Sequence, residues 1–199
     1  VVDDKAYVAS YLFEDTTGTQ AGPSWNTWTW LSILDLSVRG SISVVDSFDG
    51  FDVDGAKVGG SRDAGIVLRI RVRDGLAHIL RHTSYWLVDL DSRRKIGATA
   101  VTSPARDFVL LDARALVYYS NVLDTLDLED VTNPQFVART LPGINFQVPA
   151  RLELDGTKAI LVSSAGDTRA YDVTDPLLPV ETGLTLPRVQ PGAATGKWV

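Results

Sequence analysis

The feature that most constrains this chain is an internal repeat. ALVYYSNVLDTLDLEDVTNPQFVARTLPG (Ala115 to Gly143) and KAILVSSAGDTRAYDVTDPLLPVETGLTLPR (Lys158 to Arg188) follow one plan: apolar strand, small polar turn, short strand, Asp-Val-Thr-Asx-Pro, strand, Thr-Leu-Pro. Asp130 and Asp172 stand 42 residues apart, and so do Pro134 and Pro176. Two looser copies precede them, Leu76 to Val101 with Asp89 in the Asp130 position, and Ala6 to Phe48 with Asp35 there. A unit this short cannot enclose a core by itself, so neighbouring copies must stack and share one.

The periodicity inside each unit is two rather than 3.6. IVLRIRV places Ile66, Leu68, Ile70 and Val72 on one face and Arg69 and Arg71 on the other, and RLELDG alternates likewise. Asp74-Gly75 and Asp155-Gly156 are hairpin signals. No segment shows sustained helical periodicity between caps. In the last unit the strands read as Pro149 to Leu154, Ala159 to Ser163, Thr168 to Val173 and Val180 to Leu186. Four short antiparallel strands every 40 to 45 residues is the size of a β-propeller blade. The expectation is therefore an all-β chain of about four blades, near 1–60, 61–103, 104–145 and 146–188, with 189–199 as a tail or closing strand. Two arrangements are open: a four-bladed ring closed by Lys197 to Val199, or an open segment of a larger propeller. The absence of Met from the chain favours the second.

The Asp-Val-Thr-Asp-Pro-Leu-Leu-Pro-Val run after an apolar strand resembles the LVIVD-type repeat of bacterial and archaeal β-propellers. The resemblance covers Ala115 to Pro187 and loosens before Val101, where the Pro after the Asp is missing. It implies a surface or secreted protein without an assigned catalytic site. In the repeat core, Asp35, Asp89, Asp130 and Asp172 are expected to accept backbone N–H groups of the following turn. Pro134 and Pro176 then start the next strand where no donor is needed.

Composition narrows the function. Without Cys there is no disulfide scaffold, no Cys-ligated metal and no Cys nucleophile. A net charge of −6 argues against a nucleic-acid binder, which needs a basic footprint. No apolar run approaches the ~20 residues of a spanning helix. The motifs G-x-S-x-G, Walker P-loop and H-E-x-x-H are absent.

Four candidate sites stand out. Trp25, Trp28 and Trp30 lie next to a long insertion, Glu14 to Ser24, and form either a stacking platform for a flat ligand such as a sugar or wedges between sheets. Asp46, Asp49, Asp52 and Asp54 are dense enough in oxygen ligands for calcium, although the spacing is not that of an EF-hand loop and a solvated acidic loop is the plainer alternative. His78 and His82 read as belonging to one strand with Leu80 between them, about 13 Å apart and too far to share a metal. Arg69, Arg71, Arg73, Arg81, Arg93, Arg94 and Lys95 make the second unit basic, suited to an anion or to cross-strand pairing with carboxylates. The resulting expectation is a non-enzymatic binding or scaffold module, extracellular, at the cell surface or periplasmic, with a protein or glycan partner, no cofactor unless calcium, no nucleic acid and no membrane span. The alternatives are a fragment of a propeller enzyme whose catalytic residues lie elsewhere, and a structural subunit assembling through open sheet edges.

Overall fold

The computed structural model describes residues 4–15, 25–38, 40–48, 67–101, 105–119, 122–140, 150–163 and 168–182. Among these every regular element is a strand, so the expected all-β class of propeller-type sheets is the class found. The first sheet holds β1 (Lys5–Asp15), β2 (Trp25–Asp35) and β3 (Ser43–Phe48). The second holds β4 (Val67–Arg73), β5 (Leu76–Arg81), β6 (Ser84–Asp89) and β7 (Arg94–Ala100). The third holds β8 (Ala105–Leu111), β9 (Arg114–Tyr119), β10 (Leu123–Asp127) and β11 (Gln135–Thr140). The fourth holds β12 (Ala150–Asp155), β13 (Lys158–Ser163), β14 (Thr168–Asp172) and β15 (Val180–Glu181). In each sheet the strands follow chain order as an antiparallel meander.

The turns do what their residues dictate. Asp74 (φ 53°) and Gly75 (φ 74°) are both left-handed, the type I′ geometry that joins two strands without splaying them. At the other Asp-Gly site Asp155 remains in its strand, and the two-residue turn is Gly156-Thr157 with only Gly156 (φ 56°) left-handed.

Burial follows position in the sheet. The middle strands β5, β6 and β9 are buried on both faces, which is why LAHIL, YWLV and ALVYY are continuous rather than alternating runs. Strands β11 and β13 alternate instead, as half-exposed strands should. On β4 the expected alternation is displaced by a bulge between Val67 and Arg69. Val67, Ile70 and Val72 therefore pack against the core of their unit, whereas the sequence reading grouped Leu68 with Ile70 and Val72.

The chain divides into two compact units. One contains the first two sheets with residues 130–134, and the other contains the remainder of the third sheet with the fourth. In the first unit Leu31 packs with Ala77, Ile79, Trp86 and Val88. In the second, Val109, Leu116, Tyr118 and Leu123 pack with Leu152, Leu161 and Tyr171. Each core is the apolar filling between two successive sheets.

Strand register corrects the alignment of the repeat. Asp89, Asp127 and Asp172 each end the third strand of a four-stranded meander and Asp35 ends the second strand of the three-stranded one, and each precedes an aliphatic residue, Leu36, Leu90, Leu128 or Val173. The N–H of that residue donates to a carbonyl just before the preceding strand of the same sheet: Asp4, Gly75, Ala113 or Thr157, at 2.8 to 3.0 Å. Asp127 thus corresponds to Asp172, 45 residues away, and Asp130 corresponds to Asp175. The shared Asp-Val-Thr-Asx-Pro string sits three residues out of structural register. Pro134, which directly precedes β11, corresponds to Pro179, which directly precedes β15, rather than to Pro176. Backbone pairing fixes equivalence here, and a five-residue string recurring in a turn does not.

Candidate functional site

The carboxylates of the repeat core sit at the turns that lead into the outer strand of each sheet. Asp35 Oδ1 accepts the Ser37 N–H at 2.8 Å, Asp89 Oδ1 the Ser92 N–H at 2.6 Å, and Asp172 Oδ1 the Thr174 N–H at 2.8 Å. Asp130 Oδ1 accepts both the N–H (3.0 Å) and the hydroxyl (2.7 Å) of Thr132. These hydrogen bonds favour the charged form. The Thr132 hydroxyl and N–H hold Asp130 below the usual carboxylate range, Ser92 does so for Asp89, Thr174 for Asp172, and the Ser37 N–H for Asp35. Asp127 and Asp175 make the same kind of turn, to Glu129 and Leu177. Neither was expected from the sequence, yet the signal was present: a strand-ending Asp followed by an aliphatic residue occurs in all four units.

Two buried carboxylates are likewise engaged. Asp124 is 2% exposed and forms a fork with Arg139 directly across on β11, with Nε–Oδ1 and Nη2–Oδ2 both 2.7 Å, and this raises the Arg139 pKa. Asp107 on β8, also buried, accepts the Leu152 N–H of β12 at 3.0 Å and so ties the first strands of the third and fourth sheets together.

The two histidines part company. His78 lies buried in β5, whereas His82 falls in the bend after that strand rather than in it. His78 Nδ1 is 2.8 Å from the Tyr85 hydroxyl. Burial, reinforced by the Arg73 charge, lowers the His78 pKa to about 4, so the ring is neutral at pH 7. Burial pushes the Tyr85 hydroxyl well above its ordinary value, against the pull of Arg73 and Arg71. Among the described residues no three His, Asp or Glu side chains gather as a metal set.

The basic residues of the second unit serve different purposes. Arg81 is buried with its guanidinium 3.8 Å from the Trp86 ring centroid, and Lys95 Nζ stands 4.8 Å from the same ring, so two cations share one indole. Arg93 donates to Asp46 Oδ2 at 2.7 Å. Of the four acidic candidates Asp46 is therefore compensated by a cation; Asp49, Asp52 and Asp54 lie outside the described residues. The tail Lys197 to Val199 also lies outside them.

The tryptophans lie on the most distinctive element. The β1–β2 hairpin pairs without interruption from Lys5↔Asp35 to Asp15↔Trp25, eleven residues in each strand. Its equivalents in the other sheets have five or six. Trp30 aligns with the start of β6, so Trp28 and Trp25 fall in the five-residue extension, about 17 Å of added ladder. The segment beside the Glu14 to Ser24 insertion is thus a strand of a long hairpin, and Glu14 and Asp15 belong to its partner strand.

No protein-family model matches this chain, and no curated protein does. Among solved structures the chain is similar to the crystal structure of Kluyvelomyces marxianus Hsv2, with 11% identity over 72% of this chain and 43% of that one, and a TM-score of 0.46. It spans less than half the length of that structure.

Proposed function

We propose that this chain is a non-enzymatic binding module, extracellular, at the cell surface or periplasmic, which engages a protein or glycan partner through the extended β1–β2 hairpin. The observation that carries the reading is the hairpin itself: five paired residues per strand beyond the blade-type sheet, bearing two of three clustered tryptophans on a paired backbone. A continuously paired hairpin offers a partner a backbone that is already ordered, at low cost in ordering entropy. The polar groups support it too, because His78, Asp107, Asp124 and the turn carboxylates are all engaged in holding the fold. Calcium has no part in the reading, since the Asp46 carboxylate is held by Arg93. The run beginning at Asp172, where β14 ends, supports reading the sheets as LVIVD-type repeats.

The test is a shortened variant in which residues 11–29 are replaced by an Asn-Gly turn. It should keep the β-sheet circular dichroism and melting temperature of the full chain and lose every hit seen with the full chain on a glycan array and a displayed-peptide library. Trp25→Ala with Trp28→Ala should weaken those hits about tenfold or more, the loss expected for removing an aromatic anchor. Equal binding by the shortened and full chains would remove the hairpin from the function.

A further inference from the structure

The outer strands of the described sheets are guarded against further pairing. Strands β3, β7 and β11 each carry one extra residue in their ladder, Val45, Ile96 and Val137, and β15 is only two residues long. Bulges and very short edge strands keep a row of unpaired N–H and C=O groups from recruiting another chain. Strand β2 has neither device where it runs past β3. Its pairing with β3 ends at Leu31↔Phe48, so among the described residues Trp25 to Trp30 pair with β1 alone, through a ladder without a register shift. The sequence there, WNTWTW, holds no Pro, Gly or charged residue and consists mostly of aromatic and β-branched residues, which favour strands. A ribbon of two strands is marginal in water, and a third strand makes such a sheet stable.

Register tells which backbone groups lie along that edge. The Leu36 N–H donates to the Asp4 carbonyl at 2.8 Å, one step beyond the Lys5↔Asp35 pair. In an antiparallel ladder hydrogen-bonded pairs alternate with pairs whose N–H and C=O turn to the opposite edge. Counting back along the unbroken register, Leu34, Ser32, Trp30, Trp28 and Asn26 bond to β1. Trp25, Thr27 and Thr29 therefore turn their N–H and C=O groups away from β1, to the edge on which Leu31, Ile33 and Asp35 meet β3. The surrounding sequence has one sign of charge: from residue 6 to residue 38 it holds Glu14, Asp15 and Asp35 and neither Lys nor Arg.

Resting on the hairpin reading above, we infer that the β2 edge from Trp25 to Thr29 takes a third strand from a partner protein, an extended segment carrying Lys or Arg at alternate positions. Main-chain hydrogen bonds to Trp25, Thr27 and Thr29 supply the affinity, and the carboxylates of the hairpin select the basic sequence. A displayed-peptide library panned on the full chain should enrich such segments. Thr27→Pro removes one edge N–H and no bond to β1, so it should keep the circular dichroism and melting temperature of the wild type and weaken the selected peptides about tenfold or more. Thr27→Ala keeps the N–H and should bind them as the wild type does. In the wild type, the Trp25, Thr27 and Thr29 amides should exchange with solvent freely and slow about tenfold or more when a selected peptide is added. No enriched peptide, equal binding by Thr27→Pro, or a Thr27 amide already protected in the free chain would each overturn strand addition. Self-association in sedimentation velocity that Thr27→Pro abolishes would put a second copy on the edge and overturn it likewise. Hits confined to a glycan array and lost with the hairpin would overturn it while the hairpin reading stands, whereas equal binding by the shortened and full chains would overturn both.

Discussion

His78 makes stability depend on pH in a calculable way. The ring is neutral and buried beside Tyr85 in the folded chain, with a pKa lowered to about 4 from the usual 6.5. Unfolding exposes it to water, where it regains its ordinary affinity for a proton. Between those two values the unfolded state therefore binds more protons, and stability falls as pH falls. The stabilisation is fully present above pH 6.5 and is lost progressively toward pH 4. Linkage at one site with these two values gives a loss of about 2.5 kcal/mol by about pH 4.5, a large share of the roughly 5–15 kcal/mol that holds a domain together. Urea unfolding at intervals from about pH 7.5 to 4.5 measures it, with a slope approaching about 1.4 kcal/mol per pH unit in the middle of the window. In His78→Gln that part of the slope should vanish, while the contribution of the turn carboxylates, whose pKa values lie below the ordinary carboxylate value, survives at lower pH. Superimposable pH profiles for wild type and His78→Gln, or a histidine resonance assigned to His78 that titrates near 6.5, would refute the burial argument.

Contacts between neighbouring sheets give two further expectations. Gly97→Ala inserts a methyl group where the Val131 carbonyl already lies, so either β7 or the 130–134 turn must retreat, at a cost of about 2–4 kcal/mol readable by urea unfolding. Gly75→Ala is the control: nothing lies within 4 Å of its added Cβ, and only the left-handed backbone (φ 74°) resists, at about 1 kcal/mol. Thr125→Val keeps the shape but removes the donor to the Pro176 carbonyl, and should cost about 1–3 kcal/mol in the same assay. If Gly97→Ala proves no worse than Gly75→Ala, the turn is not seated on β7 in solution.

Much of the architecture was legible in the chain because blade-type sheets are local. Strands β12 to β15 fall close to their expected positions, since each is bounded by a turn signal a few residues away and pairs with its neighbour in sequence. The failures have definite causes. The bulge in β4 is invisible to a strict period of two, because it depends on how β5 pairs with it, and it moved Val67 to the core side in place of Leu68. The Asp-Val-Thr-Asx-Pro string aligns Asp130 with Asp172, yet turns tolerate the same residues at two offsets, and only the hydrogen-bond ladder distinguishes Asp127 from Asp130 as the partner of Asp172. The residue pattern predicts a strand through His82, but β5 ends at Arg81 and the chain bends there.

What the sequence determined by itself was the unit: strands of apolar and β-branched residues, Asp-Gly hairpins, Asp-aliphatic strand ends, and their recurrence four times over. These are interactions between residues near in the chain, so composition and spacing encode them. Tertiary structure decided which residues act across sheets. Nothing about Gly97 in isolation says that a carbonyl must approach it, and nothing about Thr125 names the Pro176 carbonyl as its acceptor. The physical reason is separation. A contact between sheets joins residues some thirty to fifty positions apart, and its cost or gain is set by distances of a few ångströms that exist only once both sheets have formed.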